Sequence, residues 1–158
     1  MESAYCAEPL RACLRGGVWL VLDCEEADRW LRQARYTLES VRSDYDGGFY
    51  SWACFKANQA AEYSLKAVLR AGGVESFGHD LMGLWRRAKS LCPGLEDLRD
   101  CIALLNKMYV PTRYPDAWPG GATPFENYTR RDAEEALECS VRVYRAVEEC
   151  LGEECEGA

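Results

Sequence analysis

Arg113 and Tyr114 lie between Pro111 and Pro115, and together they offer the chemistry that an anionic ligand requires. A guanidinium can fork two N–H donors onto a phosphate, and a phenol ring gives a flat face for a base to stack on. Lys66 and Lys107 supply further cations in the same part of the chain. Arg113, Tyr114, Lys66 and Lys107 are therefore the candidate residues for binding an anionic ligand. Each has a structural alternative: Arg113 holds its loop by bonding backbone carbonyls, and Tyr114 packs into the core.

Catalytic constellations are harder to assemble. His79 is the only histidine, in Gly78-His79-Asp80-Leu81. With no supporting constellation in sequence, it is expected to be a helix-entry residue held by backbone hydrogen bonds. No Gly-x-x-x-x-Gly-Lys loop is present, and the Gly-Gly pairs at 16, 47, 72 and 120 fall where helices stop. Glu134 and Glu135 suit the dipole at the start of a helix without further duty. Cys92 or Cys155 would be reactive if exposed, but no histidine partners either in sequence. The nine cysteines are odd in number and none forms a Cys-x-x-Cys pair. Cys54, Cys101, Cys139 and Cys150 sit in helical patterns, so reduced, structural thiols are expected, with neither a metal site nor a disulfide framework. No catalytic residue, metal or cofactor is assigned.

Charge narrows the partners. The net charge is −7, which argues against coating of double-stranded DNA. Residues 1–55 carry six basic and nine acidic groups, residues 56–113 nine and six, and residues 114–158 four and eleven. The middle third is the only net-positive region. Hydrophobic residues are 48% of the chain and charged ones 28%, the balance of a globular domain. The longest apolar run of note, Val18 to Leu22, is followed at once by Asp23 and falls far short of a membrane span. No secretory leader is legible, and the expected location is the cytoplasm.

The elements that must position these residues are helical. Ala27, Trp30, Leu31, Ala34, Leu38 and Val41 make one apolar stripe, with Asp23 as its N-cap and Gly47-Gly48 as its end. A second helix over about Tyr50 to Ala71 pairs a small-residue stripe (Ala53, Ala57, Ala60, Ser64, Ala67, Ala71) with bulk from Trp52, Phe55, Leu65 and Leu69. Small residues admit close neighbours, so this helix should be central. Further helices are predicted over about Asp80 to Ser90, Leu95 to Met108 and Thr129 to Leu151, the last with Thr129 and Asp132 as a capping box. Val110 to Asn127, with four prolines, reads as a long irregular loop, of the kind that is usually functional. The fold class is all-α: an up-and-down antiparallel bundle of about five helices. Residues 1–24 read as an N-terminal extension in which Val18 to Leu22 is extended or helical, 25–152 as the domain, and 153–158 as an acidic tail.

Three motifs in order resemble the HEPN family: Ala57-x-Gln59-Ala60-Ala61-Glu62-x-x-Leu65-Lys66-Ala67-Val68-Leu69, then Gly78-His79-Asp80-Leu81, then Thr112-Arg113-Tyr114-Pro115-Asp116. Arg29-Trp30-Leu31-Arg32-Gln33-Ala34-Arg35 and Trp52-x-Cys54-Phe55-Lys56 point to a branch of that family found in a chaperone-associated protein. The resemblance implies a homodimer that binds a purine nucleotide, GTP or ATP, or another polyanion near the dimer interface. Residues 1–24 hold no His-Pro-Asp triplet, so no J-domain activity is implied. Nuclease members of the family carry a histidine separated from an arginine by four to six intervening residues, to move a proton beside a fixed cation. Arg113 matches the arginine, but residues 118–120 are Trp-Pro-Gly. A non-catalytic nucleotide-binding and dimerisation module follows, with a pure protein–protein interaction module as the alternative.

Overall fold

The structure is a computed structural model that describes residues 11–14 and 18–156. Two short strands, β1 (Arg11–Leu14) and β2 (Val18–Val21), pair antiparallel, with Arg11 opposite Val21 and Leu14 opposite Val18. The Val18–Val21 segment thus takes the extended option. Everything after it is helical or turn, and the body is an all-α, up-and-down bundle.

Helix α1 (Cys24–Asp46) starts because Asp23 accepts a hydrogen bond from Glu26 N at 3.0 Å and because Glu25 and Glu26 favour its N-terminal dipole. It ends at Gly47 and Gly48, the latter at φ +80°, a conformation that suits glycine. The turn returns the chain directly into α2 (Tyr50–Ala71), so α1 and α2 lie antiparallel. The small stripe on α2 is buried in full: Ala53, Ala57, Ala60, Ser64, Ala67 and Ala71 all face neighbours. That lets α1 and the helices that follow all contact α2, which is the centre of the bundle. Leu65 and Leu69 fill the core as expected, whereas Trp52 stays half-exposed. Trp52 lies near the start of α2, where the neighbouring segment is the surface loop.

Helix α3 (Leu81–Ala88) is capped by Asp80, which accepts from Met82 N. A 3-10 segment, Pro93–Leu98, leads into α4 (Arg99–Asn106). Two side-chain amides, one buried and one half-buried, fix these pieces. Asn58 Nδ2 donates to Leu105 O at 2.8 Å, pinning α4 to α2, and Leu81 N donates to Asn106 Oδ1 at 2.8 Å, pinning α3 to α4. The loop after α4 contains two 3-10 turns and a one-turn helix, α5 (Pro124–Asn127). Helix α6 (Arg130–Glu156) follows the Thr129–Asp132 capping pair, with Thr129 N donating to Asp132 Oδ2 at 2.7 Å. It continues through Glu153 and Glu154, so the start of the expected acidic tail is helical.

Four of the cysteines expected as reduced, or as potentially reactive, are paired instead. Cys24 bonds to Cys155 and Cys101 to Cys139. Pairing could not be read from spacing because 131 and 38 residues separate the partners. Helix packing brings the start of α1 against the end of α6, and α4 against the middle of α6. Cys54, Cys92 and Cys150 are free thiols, and Cys54 and Cys92 are buried as expected of structural cysteines. Among the described residues no helix is long and apolar enough to cross a membrane, and no cluster of metal-binding side chains occurs.

Candidate functional site

The loop that follows α4 is built by local bonds before it meets the rest of the fold. Arg113 N and Tyr114 N both return to Val110 O, and buried Thr112 donates its Oγ1 to Met108 O at 2.9 Å. Trp118 Nε1 donates to Pro111 O at 2.7 Å, and its ring meets Tyr128 edge-on. These bonds close the loop into a rigid turn. Arg113 leaves it at a fixed angle, its Nε donating to Tyr109 O at 2.9 Å.

The Arg113 guanidinium carbon then lies 4.2 Å from the Phe55 ring centroid, 4.6 Å from Tyr109 and 4.9 Å from Tyr114. A planar cation suits such an aromatic nest, since it is attracted to the ring faces and is weakly hydrated. Only Nε is committed: among the described residues neither terminal nitrogen of Arg113 makes a hydrogen bond or ion pair. The Arg113 alternative is thus half right, because one donor holds the loop while the fork remains available. Tyr114 is not core, being 51% exposed.

Tyr109 links this nest to a second group. The His79 imidazole stacks on it with centroids 4.7 Å apart and an interplanar angle of 17°. His79 Nδ1 meets both carboxylate oxygens of Glu62 at 3.1 Å. Glu62 in turn binds Lys66 Nζ at 2.8 Å and accepts from Gln59 Nε2 at 3.2 Å. Its side chain is only 2% exposed, that of Lys66 11%, and that of His79 52%. A buried carboxylate with three polar partners is the stable form of such a group.

The expectation for His79 is therefore corrected: its partner is a buried carboxylate one helix away, not the backbone. Sequence separation hid this, as Glu62, His79, Tyr109 and Arg113 come from three different segments. Glu62 and Lys66 stand one helical turn apart, which was the one legible signal. Lys66 is satisfied inside α2 rather than presented to solvent. Lys107 is exposed at the C-cap of α4 and, among the described residues, shares no ion pair or ring contact with the others. Sequence thus placed two of the four candidate residues, Arg113 and Tyr114, on one open surface.

Two of the three free thiols, Cys54 and Cys92, are not poised for chemistry, whereas the half-buried Cys150 is lowered by its hydrogen bond with Cys92. Burial pushes Cys54 up to about 12, and Cys92 is raised by its hydrogen bond with Cys150 and by burial. Thiolate, the reactive form, is disfavoured at both.

Comparison with known proteins gives the family and the fold. Residues 27–150 match the HEPN domain. Human sacsin is 30% identical over 131 residues, 73% of this chain but only 3% of sacsin's own length. A Methanocaldococcus jannaschii protein described as "Putative toxin MJ1304" is 27% identical over 135 residues, 80% of this chain and 89% of that protein. Among solved structures, TT1696 from Thermus thermophilus is 40% identical with a TM-score of 0.74, covering 78% of this chain and 97% of that one. ST0689, an archaeal HEPN homologue, is 35% identical with a TM-score of 0.63, covering 79% and 97%. With the match spanning the whole bundle and all three motifs inside it, this chain belongs to the HEPN family.

Proposed function

We propose that this chain is a non-cleaving module that acts as a homodimer and binds the phosphates of a purine triphosphate, GTP or ATP, or of another polyanion, at the Arg113 surface. One observation carries the reading. The Arg113 guanidinium is held by its Nε and by three rings, and its two terminal nitrogens are left over. A pre-positioned fork loses little side-chain entropy on meeting a phosphate, and Tyr114 beside it leaves an exposed ring for a base, with half-exposed Trp52 edge-on to Phe55. A setting within a chaperone-associated protein rests on the Arg29–Arg35 and Trp52–Lys56 motifs. Absence of cleavage is supported by Trp118-Pro119-Gly120 standing where nuclease relatives place a histidine.

Calorimetry with GTP and ATP tests the site. Arg113→Ala should weaken binding about tenfold or more, and Arg113→Lys should recover only part, because lysine cannot fork. Binding of the Arg113→Ala protein as tight as that of wild type would place the ligand elsewhere. Sedimentation at tens of micromolar should return a dimer. RNA turnover by wild type that is lost in His79→Ala would overturn the non-cleaving reading, since Glu62 holds the imidazole as an acid–base pair would require.

A second reading, a protein-interaction module without nucleotide, is favoured by the exposed rings of Phe49, Trp52, Phe77, Tyr114 and Phe125. It becomes the better one if neither triphosphate binds a protein that still dimerises.

A further inference from the structure

We infer that His79 is a second phosphate ligand of this site, one that acts only when it takes up a proton as the anion binds. The inference rests on the anion-binding reading of Arg113 and names a residue and a linkage which that reading lacks.

Glu62 decides the tautomer. Its carboxylate accepts hydrogen bonds from Lys66 and Gln59, and both of its oxygens lie 3.1 Å from Nδ1 of His79. Nδ1 must therefore carry the hydrogen, because an ionised carboxylate can only accept. In the neutral imidazole that leaves Nε2 with a lone pair. Half of the His79 side chain is exposed, and among the described residues Nε2 has no partner. A lone pair facing an anion repels it. Once protonated, Nε2–H becomes a charged donor.

The surroundings fix what that proton adds. On α2, Lys66 and Glu62 form an ion pair at 2.8 Å, so their formal charges cancel, and the neighbouring Tyr63 phenol is raised by burial, with Glu62 and Tyr109 adding to the effect. From the segment after α4, Tyr109 lies flat on the imidazole and carries Arg113 against the same ring. The adjacent Asp80 is turned away to cap α3. A proton on His79 therefore makes a second net cation, separated from Arg113 only by one shared tyrosine. The imidazole and the guanidinium lie 4.7 and 4.6 Å from the same ring centroid, so a triphosphate chain, rather than one phosphate, is the ligand proposed to meet both. The proton comes from solvent, stays on Nε2, and is shared with a non-bridging phosphate oxygen without any bond being broken.

The test uses the full chain and GTP or ATP as the probe, by calorimetry at pH about 6 and about 8, in two buffers of different ionisation enthalpy. Wild type should bind up to about tenfold tighter at the lower pH, with a net proton taken up on binding. His79→Gln keeps a hydrogen bond to Glu62 but cannot take up a proton. It should bind more weakly than wild type at the lower pH, with the pH dependence from this group removed. The His79 imidazole resonances of wild type, followed against pH with and without ligand, should shift their midpoint upward when ligand is present, which needs no variant to fold. Tight binding without proton uptake, or a His79→Gln protein with the wild-type pH dependence, overturns this assignment and leaves Arg113 in place. If neither triphosphate binds wild type at either pH, the anion-binding reading falls and this inference with it.

Discussion

Replacing Glu62 by glutamine should be among the most damaging single changes in the domain, although it removes no volume. The Glu62 side chain is 2% exposed and that of its partner Lys66 11%, so both charges have left water. Each is tolerable only because the other stands 2.8 Å away. Glutamine keeps the shape and loses the charge, which leaves the lysine ammonium buried beside a neutral amide. Breaking a buried pair from one side costs about 3–5 kcal/mol, mostly as the desolvation of the group left behind. For a chain of this length that corresponds to a fall in Tm of roughly 6–20 °C. By contrast, Arg29→Ala removes an exposed pair with Glu26 and should cost about 1 kcal/mol or less. The assay is thermal and urea unfolding with the disulfides intact. A Lys66→Met, Glu62→Gln double variant should recover much of the loss, because the stranded charge is gone. A Glu62→Gln protein within about 1 kcal/mol of wild type would refute the reasoning, as would a double variant no more stable than the single one.

Three further outcomes follow from the fold. The Cys24–Cys155 bond closes a loop with its ends 131 residues apart, so Cys155→Ser should lower stability by up to about 5 kcal/mol under oxidising conditions and change little under reducing ones. Non-reducing peptide mapping should recover Cys24 linked to Cys155 and Cys101 linked to Cys139; recovery of these four as free thiols would contradict both pairings. In alkali, Cys54 is raised from 9.0 to about 12, and Tyr128 and Tyr144 from 10.0 to about 12, with burial the first cause in each. Their folded-state values lie above their unfolded ones, so the folded state holds more protons there. The stability they contribute is full below pH about 9 and is lost as pH rises to about 12. Unfolding followed by circular dichroism should show a falling midpoint across that window and none from these groups below it.

The sequence by itself determined the bundle. Helix periodicity placed α1, α2 and α6 to within a few residues, Asp23 and Thr129 announced their caps, and the alanine stripe of α2 identified the central helix. These features are local: a helix's bonds, caps and faces are set by residues three or four apart. The same locality gave Arg113 and Tyr114 their shared loop. What lay beyond it was decided only by packing. Glu62 faces His79 because α2 passes beneath the entry to α3, and Tyr109 couples His79 to Arg113 because the turn after α4 folds back over both. Lys66 was legible as a cation but not as a buried one, since its burial depends on which face of α2 its neighbours cover. The cysteine pairs failed for the same reason, with partners 131 and 38 residues apart. A side chain's type is written in the sequence, but its partner depends on long-range contacts that exist only once the helices have docked.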